Sequence, residues 1–506
     1  MKINQLKAGV ILTYASQALH IASGLIYTPI MLRLLGQSEF GLYQLVSSVV
    51  SYLSLINLGF HAGYIRVYSR YKVQNNADGI AKLNGMYTIV FALMGIVCLL
   101  CGTVMTQNAH LIFGSGLSTG ELQKAKVLMA ILVVNIAVTL MGSVTRCYLT
   151  ACESFVFQKL LDFLKSLLNP FITLPLLIMG FGSVAIVITS LALTVSVFVM
   201  DIWFCLRKLS MKFDFKGFDF GLFKEILVFT SFIFLNTVVD QLNWCVDKVL
   251  LGRFLGTTAV AVYGVAGGIN SMYLGFSSAV SGVFVPRVNT LVAQKKDDKQ
   301  ITYLFTKVGR IQALILFLII SGYILFGKEF IRFWAGEGYS EAYYIGILLM
   351  LPLTVPLLQN LGIEIQRAKN MHKIRAYVLL GVAIANVIAS IPLIKLYGTI
   401  GAAAGTAITM IIGNIGFINI YYHKRLGLDM IYFWKEILKL IPALMLSVMA
   451  GSVMRMIIPA KSIVFLAVNI GIYCIVYLLF MWIIGMNKSE KELLKDPLKK
   501  FFKVKW

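Results

Sequence analysis

The sequence predicts an all-α polytopic membrane protein with about fourteen transmembrane helices. Of its 506 residues, 59% are hydrophobic and only 13% are charged, whereas charged residues make up about a quarter of a typical soluble domain. The mean hydropathy is +0.83. Apolar runs of about 20 residues, each long enough to cross a bilayer, recur along the whole chain. Together these properties exclude a soluble globular protein.

Fourteen helices account for the apolar runs. In chain order they are predicted at Ala8–Leu32, Gly41–Ala62, Ile80–Met105, Ala125–Tyr148, Phe155–Met179, Val184–Leu206, Ile226–Val246, Ala259–Val285, Phe305–Phe326, Tyr344–Ile365, Ile374–Ile394, Thr399–Tyr422, Tyr432–Ile457 and Ser462–Gly485. The first follows two lysines, as a signal peptide would, but it is longer than an h-region and has no clear cleavage site. We therefore expect it to remain as a helix of the mature protein.

The basic residues predict the orientation of the chain in the membrane. The chain has 45 basic and 22 acidic residues, a net charge of +23. With the N-terminus in the cytoplasm, inside loops hold about three times as many Lys and Arg residues as outside loops, as the positive-inside rule requires. Both termini are then cytoplasmic. Because no soluble segment is long enough for a nucleic-acid-binding module, we expect no nucleic-acid partner.

An internal repeat relates the two halves of the chain. The segment Arg33–Gly36 (RLLG) is followed seven residues later by Tyr43, and Arg253–Gly256 (RFLG) is followed seven residues later by Tyr263. The two copies are 220 residues apart, and each joins one predicted helix to the next. Membrane transporters are often built from such repeats.

A second pair of segments extends the repeat to the fifth and eleventh helices. Leu174–Leu177 (LPLL) corresponds to Ile391–Ile394 (IPLI) at an offset of 217 residues, and the same offset pairs Asn169 with Asn386. Since six helices separate the copies, both begin in the same orientation. The sequence therefore predicts two parallel six-helix lobes, related by an axis along the membrane normal.

The repeat also predicts the domain boundaries. We expect an N-terminal lobe at 1–206, a cytoplasmic linker at 207–224, a C-terminal lobe at 225–422, and two further helices with a basic tail at 423–506. The linker carries phenylalanines interleaved with lysines, which favours a segment lying in the membrane interface; a flexible hinge is the alternative. In such folds the ligand is usually bound between the repeats.

The motifs of the repeat resemble a known family. The run Arg33–Tyr43 (RLLGQSEFGLY) with Leu58-Gly59, and the run Asp247–Gly256 with Tyr263, are similar to signatures of bacterial polysaccharide (oligosaccharide-lipid) flippases. These belong to the multidrug/oligosaccharidyl-lipid/polysaccharide exporter superfamily. The resemblance covers nearly the whole chain, including a plan of twelve helices plus two.

The resemblance implies a function. It implies that the protein moves an undecaprenyl-pyrophosphate-linked oligosaccharide from the cytoplasmic to the outer leaflet of the bacterial inner membrane, for a surface polysaccharide such as O-antigen or capsule. The implied partners are this lipid-linked substrate, the lipid bilayer and other membrane proteins of polysaccharide assembly. The motifs do not identify the glycan.

Polar residues follow one face of the first helix of each lobe. In the seventh helix they recur at steps of four, three and four, and so share a face; the repeat-matched face of the first helix contains His20. Intramembrane polar groups of this kind need a cavity or a partner. We predict that a water-filled cleft is lined by His20, Asn236, Asp240, Asn243 and Asp247.

Three residues of this predicted cleft have a further or alternative role. Asp240 is also a candidate for ion coupling. For Asn243 the alternative is contact between helices, and for Asp247 it is pairing with Lys248 or Arg253.

Four cations are predicted to bind the substrate's phosphates. Arg33, Arg66 and Arg146 lie at helix ends, where a guanidinium can bind a phosphate or simply extend to the interface. Lys165 lies inside the fifth helix, three residues after Asp162. These two side chains could neutralise each other; alternatively, Lys165 is available to an anion.

No enzyme motif accompanies these residues. The sequence contains no Walker motif, no HExxH and no glycosyltransferase-like DxD, so we expect no catalytic residues, no cofactor and no metal site. The predicted function is flipping by alternating access. The alternatives are a multidrug-type cation antiporter, which should have a carboxylate-rich N-terminal lobe, and a membrane glycosyltransferase or polymerase, which should have catalytic acids or a large outside loop.

Overall fold

Every regular element of the described chain is a helix. The computed structural model describes residues 5–216, 218–294, 297–369, 371–459 and 462–492. The α-helices are α1 Gln5–Leu35, α2 Gln37–Ser51, α3 Phe60–Val73, α4 Ala77–Gln107, α5 Ala109–Phe113, α6 Thr119–Met141, α7 Ser143–Ala151, α8 Phe155–Ile178, α9 Ser183–Arg207, α10 Phe220–Leu255, α11 Thr257–Ala293, α12 Asp298–Trp334, α13 Ala342–Leu358, α14 Leu361–Ala368, α15 His372–Met410, α16 Ile418–Lys424, α17 Met430–Leu438, α18 Ile441–Ile457 and α19 Ile463–Phe480.

The predicted class of an all-α polytopic membrane protein is confirmed. In the described ranges, twelve helical segments are long and apolar enough to cross a membrane, and α10 passes the same test as two helices bent by 41°. One of the twelve, Ile374–Leu426, is 53 residues long and is broken at Gly398 (φ 62°, ψ −136°). It contains the predicted eleventh and twelfth helices. The predicted number of fourteen is therefore a good approximation.

The helices form two compact units. The first contains the described residues up to Gly264 together with Ile394–Ala402, and the second contains the other described residues. Within the first unit, α1 packs on α8, α4 packs on α6, and α9 packs on both α6 and α8. Within the second unit, α12 contacts α13, α17 and α19. The boundaries predicted from the repeat remain a prediction.

Glycines at the two RxLG motifs turn the chain in the same way. Gly36 lies between α1 and α2 with φ 76° and ψ 168°, and Gly256 lies between α10 and α11 with φ 85° and ψ −173°. Residues with a Cβ rarely adopt such positive φ values. The glycine of each motif therefore allows one long helix to end and the next to begin after a single residue.

The second pair of repeated segments also has matching geometry. In α8 the hydroxyl of Thr173 donates to Asn169 Oδ1 at 3.1 Å, and in α15 the hydroxyl of Ser390 donates to Asn386 Oδ1 at 3.0 Å. Thr173 and Ser390 are both fully buried. Each unit thus repeats the same hydrogen bond across one helical turn, two residues before its proline.

Two glutamates, Glu39 and Glu121, connect the helix that follows Gly36 to neighbouring helices. The carboxylate of Glu39 accepts from the backbone N–H of Ser183 at 2.5 Å and pairs with Lys124 at 2.6 Å. Glu121 accepts from the hydroxyls of Ser38 and Thr257 at 2.7 and 2.8 Å. These bonds hold the N-termini of α2, α6, α9 and α11 together.

The linker between α9 and α10 is bound to α4. The N–H of Asp214 donates to the carbonyl of Ala81 at 2.9 Å, and the Asn84 side chain donates to the carbonyl of Lys212 at 2.8 Å. Phe213 and Phe218 pack against a buried cluster of the first unit. These contacts favour an anchored segment over a freely flexible hinge.

Gly41 allows a close approach between α2 and α11. A Cβ at Gly41 would lie 1.8 Å from the carbonyl oxygen of Thr257. We expect Gly41→Ala to lower the free energy of unfolding by about 2 kcal/mol, because a backbone contact must open to admit the methyl group. Thermal unfolding of the purified protein in detergent would measure this loss. Gly120→Ala is the matched control, since a Cβ at Gly120 meets nothing within 4 Å; equal stability of the two variants would contradict the proposed contact.

Candidate functional site

The first unit contains a polar cavity of about 330 Å³ among its membrane-spanning helices. It is bounded by α6, α7, α8 and α9 and by the start of α3. Its lining residues are Asn57, His61, Val138, Thr139, Gly142, Ser143, Arg146, Asp162, Lys165, Thr194, Val197, Phe198 and Asp201. Two of the four predicted cations, Arg146 and Lys165, therefore lie in one cavity, together with two carboxylates and a histidine.

A break between α6 and α7 brings Arg146 into the cavity. Gly142 separates the two helices, and a Cβ at this position would lie 2.9 Å from the ring of Phe198 on α9. The glycine therefore lets α9 approach closely. Arg146 follows one turn later on α7, on the side that faces α8 and α9.

Arg146 forms ion pairs with two carboxylates from different helices. Its Nε lies 2.7 Å from Asp201 Oδ2 on α9, and its Nη1 lies 2.7 Å from Asp162 Oδ1 on α8. The Asp201 side chain is only 2% exposed. An unpaired charge inside the membrane is costly, and a buried carboxylate needs a cation or several hydrogen bonds. Arg146 therefore pairs with both acids and links α7 to α8 and α9, while Lys165 supplies the second positive charge that balances the two carboxylates.

Lys165 contacts a neutral partner. Its Nζ donates to Thr194 Oγ1 at 2.9 Å, and the ion pairs found in the described part of the chain do not include Lys165. Asp162 instead pairs with Arg146 and, at 3.8 Å, with Lys159. Of the two alternatives for Lys165, a direct ion pair with Asp162 is not found among the described residues, because Arg146 reaches Asp162 from a neighbouring helix.

Two further polar groups complete the cavity. His61 Nδ1 lies 3.0 Å from Cys147 Sγ. Asp201 Oδ1 is buried and has no hydrogen-bond partner among the described residues, although a buried carboxylate oxygen normally accepts at least one. With two basic and two acidic side chains, the formal charges of these four groups balance. The cavity can therefore offer donors and acceptors to a polar ligand, and a positive charge at Lys165.

The other predicted cations lie away from this cavity. Arg66 is exposed on α3, with its guanidinium carbon 4.6 Å from the centre of the Phe229 ring. Arg33 is exposed in the last turn of α1. Neither lines the cavity, so one cavity does not bring all four cations together.

The predicted polar face of the seventh helix is only partly described. Asp247 is buried and accepts a hydrogen bond from the hydroxyl of Tyr263 at 2.5 Å. Asn243 is half-buried. The side chains of His20, Asn236 and Asp240 lie outside the part of the chain that is described. The bond between Asp247 and Tyr263 joins α10 to α11, which favours a packing role for Asp247.

Asp201 is the main site residue that the sequence analysis missed. It lies 55 residues from Arg146, so no local spacing connects them. An acid inside a predicted membrane helix, which needs a partner or a cavity, was the available signal. His61 and Thr194 carried no comparable signal, since single His and Thr residues often serve only as contacts between helices.

A family model described as "Polysaccharide biosynthesis protein" matches residues 30–344 of the chain. Two curated relatives from Haloferax volcanii also match. "Probable flippase AglR" is 23% identical over 175 residues, which are 34% of this chain and 36% of AglR. "Probable low-salt glycan biosynthesis flippase Agl15" is 24% identical over 176 residues, with the same two coverages. The match thus spans about a third of the length of each relative.

Solved structures confirm the fold. "Lipid II flippase MurJ, inward closed conformation" is similar with a TM-score of 0.72 and 18% identity, over 93% of this chain and 97% of that chain. An inward-facing multidrug resistance MATE family transporter of the MOP superfamily is similar with a TM-score of 0.65 and 15% identity, over 81% of this chain and 94% of that chain. At these identities the likeness concerns the fold alone.

We expect Arg146→Met to destabilise the protein by about 3 kcal/mol, because it leaves Asp201 buried without its cation. Chemical unfolding in detergent would measure the change. Lys159→Met is the matched control: its 3.8 Å pair with Asp162 is half-exposed, and such pairs contribute about 0–1 kcal/mol. In the double variant Arg146→Met/Asp201→Asn, most of the stability should return. A double variant no more stable than Arg146→Met alone would contradict the ion-pair explanation.

Proposed function

Because the chain belongs to the polysaccharide biosynthesis protein family, we propose that it is a flippase that moves a lipid-linked oligosaccharide from the cytoplasmic to the outer leaflet. The observation that carries the proposal is the polar cavity around Arg146 and Lys165, enclosed by helices that are otherwise apolar. The relatives AglR and Agl15, both described as probable flippases, support the same activity.

The physical task of a flippase matches this cavity. Moving sugar hydroxyls and phosphates through hydrocarbon without partners costs several kcal/mol per group. The cavity supplies partners of both kinds: acceptors such as Asp201 Oδ1, which is unsatisfied among the described residues, and the ammonium of Lys165. Since the hydrogen bond that Lys165 makes among the described residues is to the neutral hydroxyl of Thr194, the ammonium can exchange this acceptor for a phosphate oxygen, and charge-assisted hydrogen bonds are the stronger ones.

Arg146 has a different role in this proposal. Its two ion pairs already balance its charge, so it positions the cavity wall and contributes less to binding an anion. The volume of about 330 Å³ lies at the lower end of the range for small-molecule pockets. The cavity would therefore enclose the part of the head group nearest the lipid, while the rest of the glycan remains outside it.

We also propose the lipid carrier, the transport cycle and the orientation of the protein. The carrier would be undecaprenyl pyrophosphate, and transport would proceed by alternating access, with Arg33, Arg66 and the polar face of α10 meeting the head group at other stages. The protein would lie in the inner membrane with both termini cytoplasmic, as the basic residues predict. It would act as a transporter and not as an enzyme, beside the proteins that assemble the polysaccharide.

A multidrug-type cation antiporter is the second candidate. Asp162 and Asp201 do supply two carboxylates in the N-terminal half of the chain, as the sequence analysis expects of such an antiporter. Both are bound to Arg146 at 2.7 Å, so a cation would have to displace a guanidinium from them. This arrangement favours the anionic substrate.

Depletion of the protein in cells distinguishes the two candidates. For a flippase, we expect lipid-linked oligosaccharide to accumulate in the cytoplasmic leaflet and surface polysaccharide to be lost. A leaflet-specific glycan label would measure this, with re-expression of the protein as the control. Normal export, together with sensitivity to cationic dyes, would instead indicate the antiporter.

Lys165→Met should reduce export at least tenfold, because a hydrogen bond to a charged group contributes about 1.5–3 kcal/mol. Lys165→Arg should retain most activity, and Thr194→Val should retain export since it removes only the neutral partner of the ammonium. Export of labelled oligosaccharide would be compared at equal amounts of membrane-inserted protein. Unchanged export in variants of Arg66, Arg146 and Lys165 alike would disprove the cationic binding site.

A further inference from the structure

The second unit carries an open groove along α16 and α17. We call it the α16–α17 groove; its volume is about 710 Å³. Its apolar wall includes the residues Ile420, Ile431 and Leu438, which are 57%, 71% and 59% exposed. Both helices lie at the ends of candidate membrane spans, Ile374–Leu426 and Met430–Ile457. The groove therefore lies where the hydrocarbon of a bilayer meets its head groups.

One edge of the α16–α17 groove is basic. His423 and Lys424 lie in the last turn of α16, Lys435 lies on α17, and all three are exposed. The ion pairs found among the described residues include none of the three, whereas Lys439, one turn after Lys435, pairs with Glu436. Among the described residues that line the groove, none is acidic. Its charge therefore favours an anion.

The polar base of the groove is rigidly held. The side-chain oxygen of Asn419 accepts from Gln359 Nε2 at 2.9 Å and from the indole N–H of Trp434 at 2.8 Å. Its amide donates to the carbonyl of Ile415 at 2.8 Å, in the π-helical segment Ile411–Phe417. Such segments are rare and often occur at functional sites. Trp434 is thereby fixed in the groove wall.

We propose that the α16–α17 groove binds an anionic phospholipid. An acyl chain lies along Ile420, Ile431 and Leu438, and the phosphate lies between Lys424 and Lys435, with His423 beside it. A free phosphate would leave the apolar wall uncovered, and a zwitterionic lipid would leave the basic edge without excess negative charge. Clusters of basic residues beside a membrane span bind anionic head groups in this way. The inference does not depend on which substrate the protein transports.

Native mass spectrometry of the purified full-length protein tests the proposal. The protein would be mixed with equal amounts of phosphatidylglycerol and phosphatidylcholine, and retention of phosphatidylglycerol should prevail. Each lysine near an anionic surface contributes about a fivefold change in affinity, so Lys424→Gln/Lys435→Gln should bind it roughly twentyfold more weakly. Lys328→Gln, an exposed lysine of α12 outside the groove, should bind it as the unchanged protein does.

Three outcomes would overturn the proposal. These are equal retention of both lipids, retention of phosphatidylglycerol that the double substitution leaves unchanged, and displacement of the lipid by millimolar inorganic phosphate. The first would mean that the lysines merely extend to the interface, and the last would mean that charge alone determines binding.

Fluorescence quenching gives a second measurement that does not depend on a charge variant. Brominated phosphatidylglycerol should quench Trp434, so the quenched fraction should fall in Trp434→Phe. Brominated phosphatidylcholine at the same concentration should quench Trp434 much less. If the two brominated lipids quench equally, or if Trp434→Phe leaves the quenched fraction unchanged, the groove is not an anionic lipid site.

Discussion

The guanidinium of Arg146 is the charge on which the arrangement of α7, α8 and α9 depends. A charged group inside a bilayer costs at least about 2.5–3.5 kcal/mol even on the mildest scale, and an opposite charge within reach lowers this cost. Asp162 and Asp201 supply that charge from two helices, each at 2.7 Å. The requirement for neutrality therefore fixes how these helices face one another, and the cavity is the space they enclose.

The second unit meets the same constraint with other residues. Arg310 on α12 is 3% exposed. Its Nε and Nη2 donate to the two carboxylate oxygens of Glu490 at 2.5 and 3.0 Å, and its Nη1 and Nη2 also donate to the carbonyls of Glu436 and Gly485. Here the arginine is fully bound and encloses almost no space, whereas the cavity around Arg146 leaves Lys165 with a neutral partner. The cluster around Arg146 is therefore a candidate binding site, whereas the cluster around Arg310 only connects helices.

The fold was largely predictable from the sequence, but the ion pairs were not. Long apolar runs determine helices directly, and Gly36 and Gly256 mark the repeat because only glycine tolerates their backbone conformation. Partner choice, in contrast, depends on how each helix is rotated about its axis. The spacing of Asp162 and Lys165 indicated a local pair, which is worth only about 0.2–0.5 kcal/mol on an isolated helix. Neutralising Arg146 is worth far more, so the distant partner prevails.

The break at Gly398 also bears on how the chain enters the membrane during synthesis. On either side of it, α15 supplies two apolar helices, and a Cβ at Gly405 would lie 2.6 Å from the hydroxyl of Ser390, so the helices contact each other closely. A turn this short leaves almost no loop between the two helices while the second helix is still being made. We therefore expect the two helices to enter the bilayer together as a hairpin. A topology reporter or epitope inserted at this turn would separate the two helices, so it would report the orientation of a disrupted hairpin and not the native one.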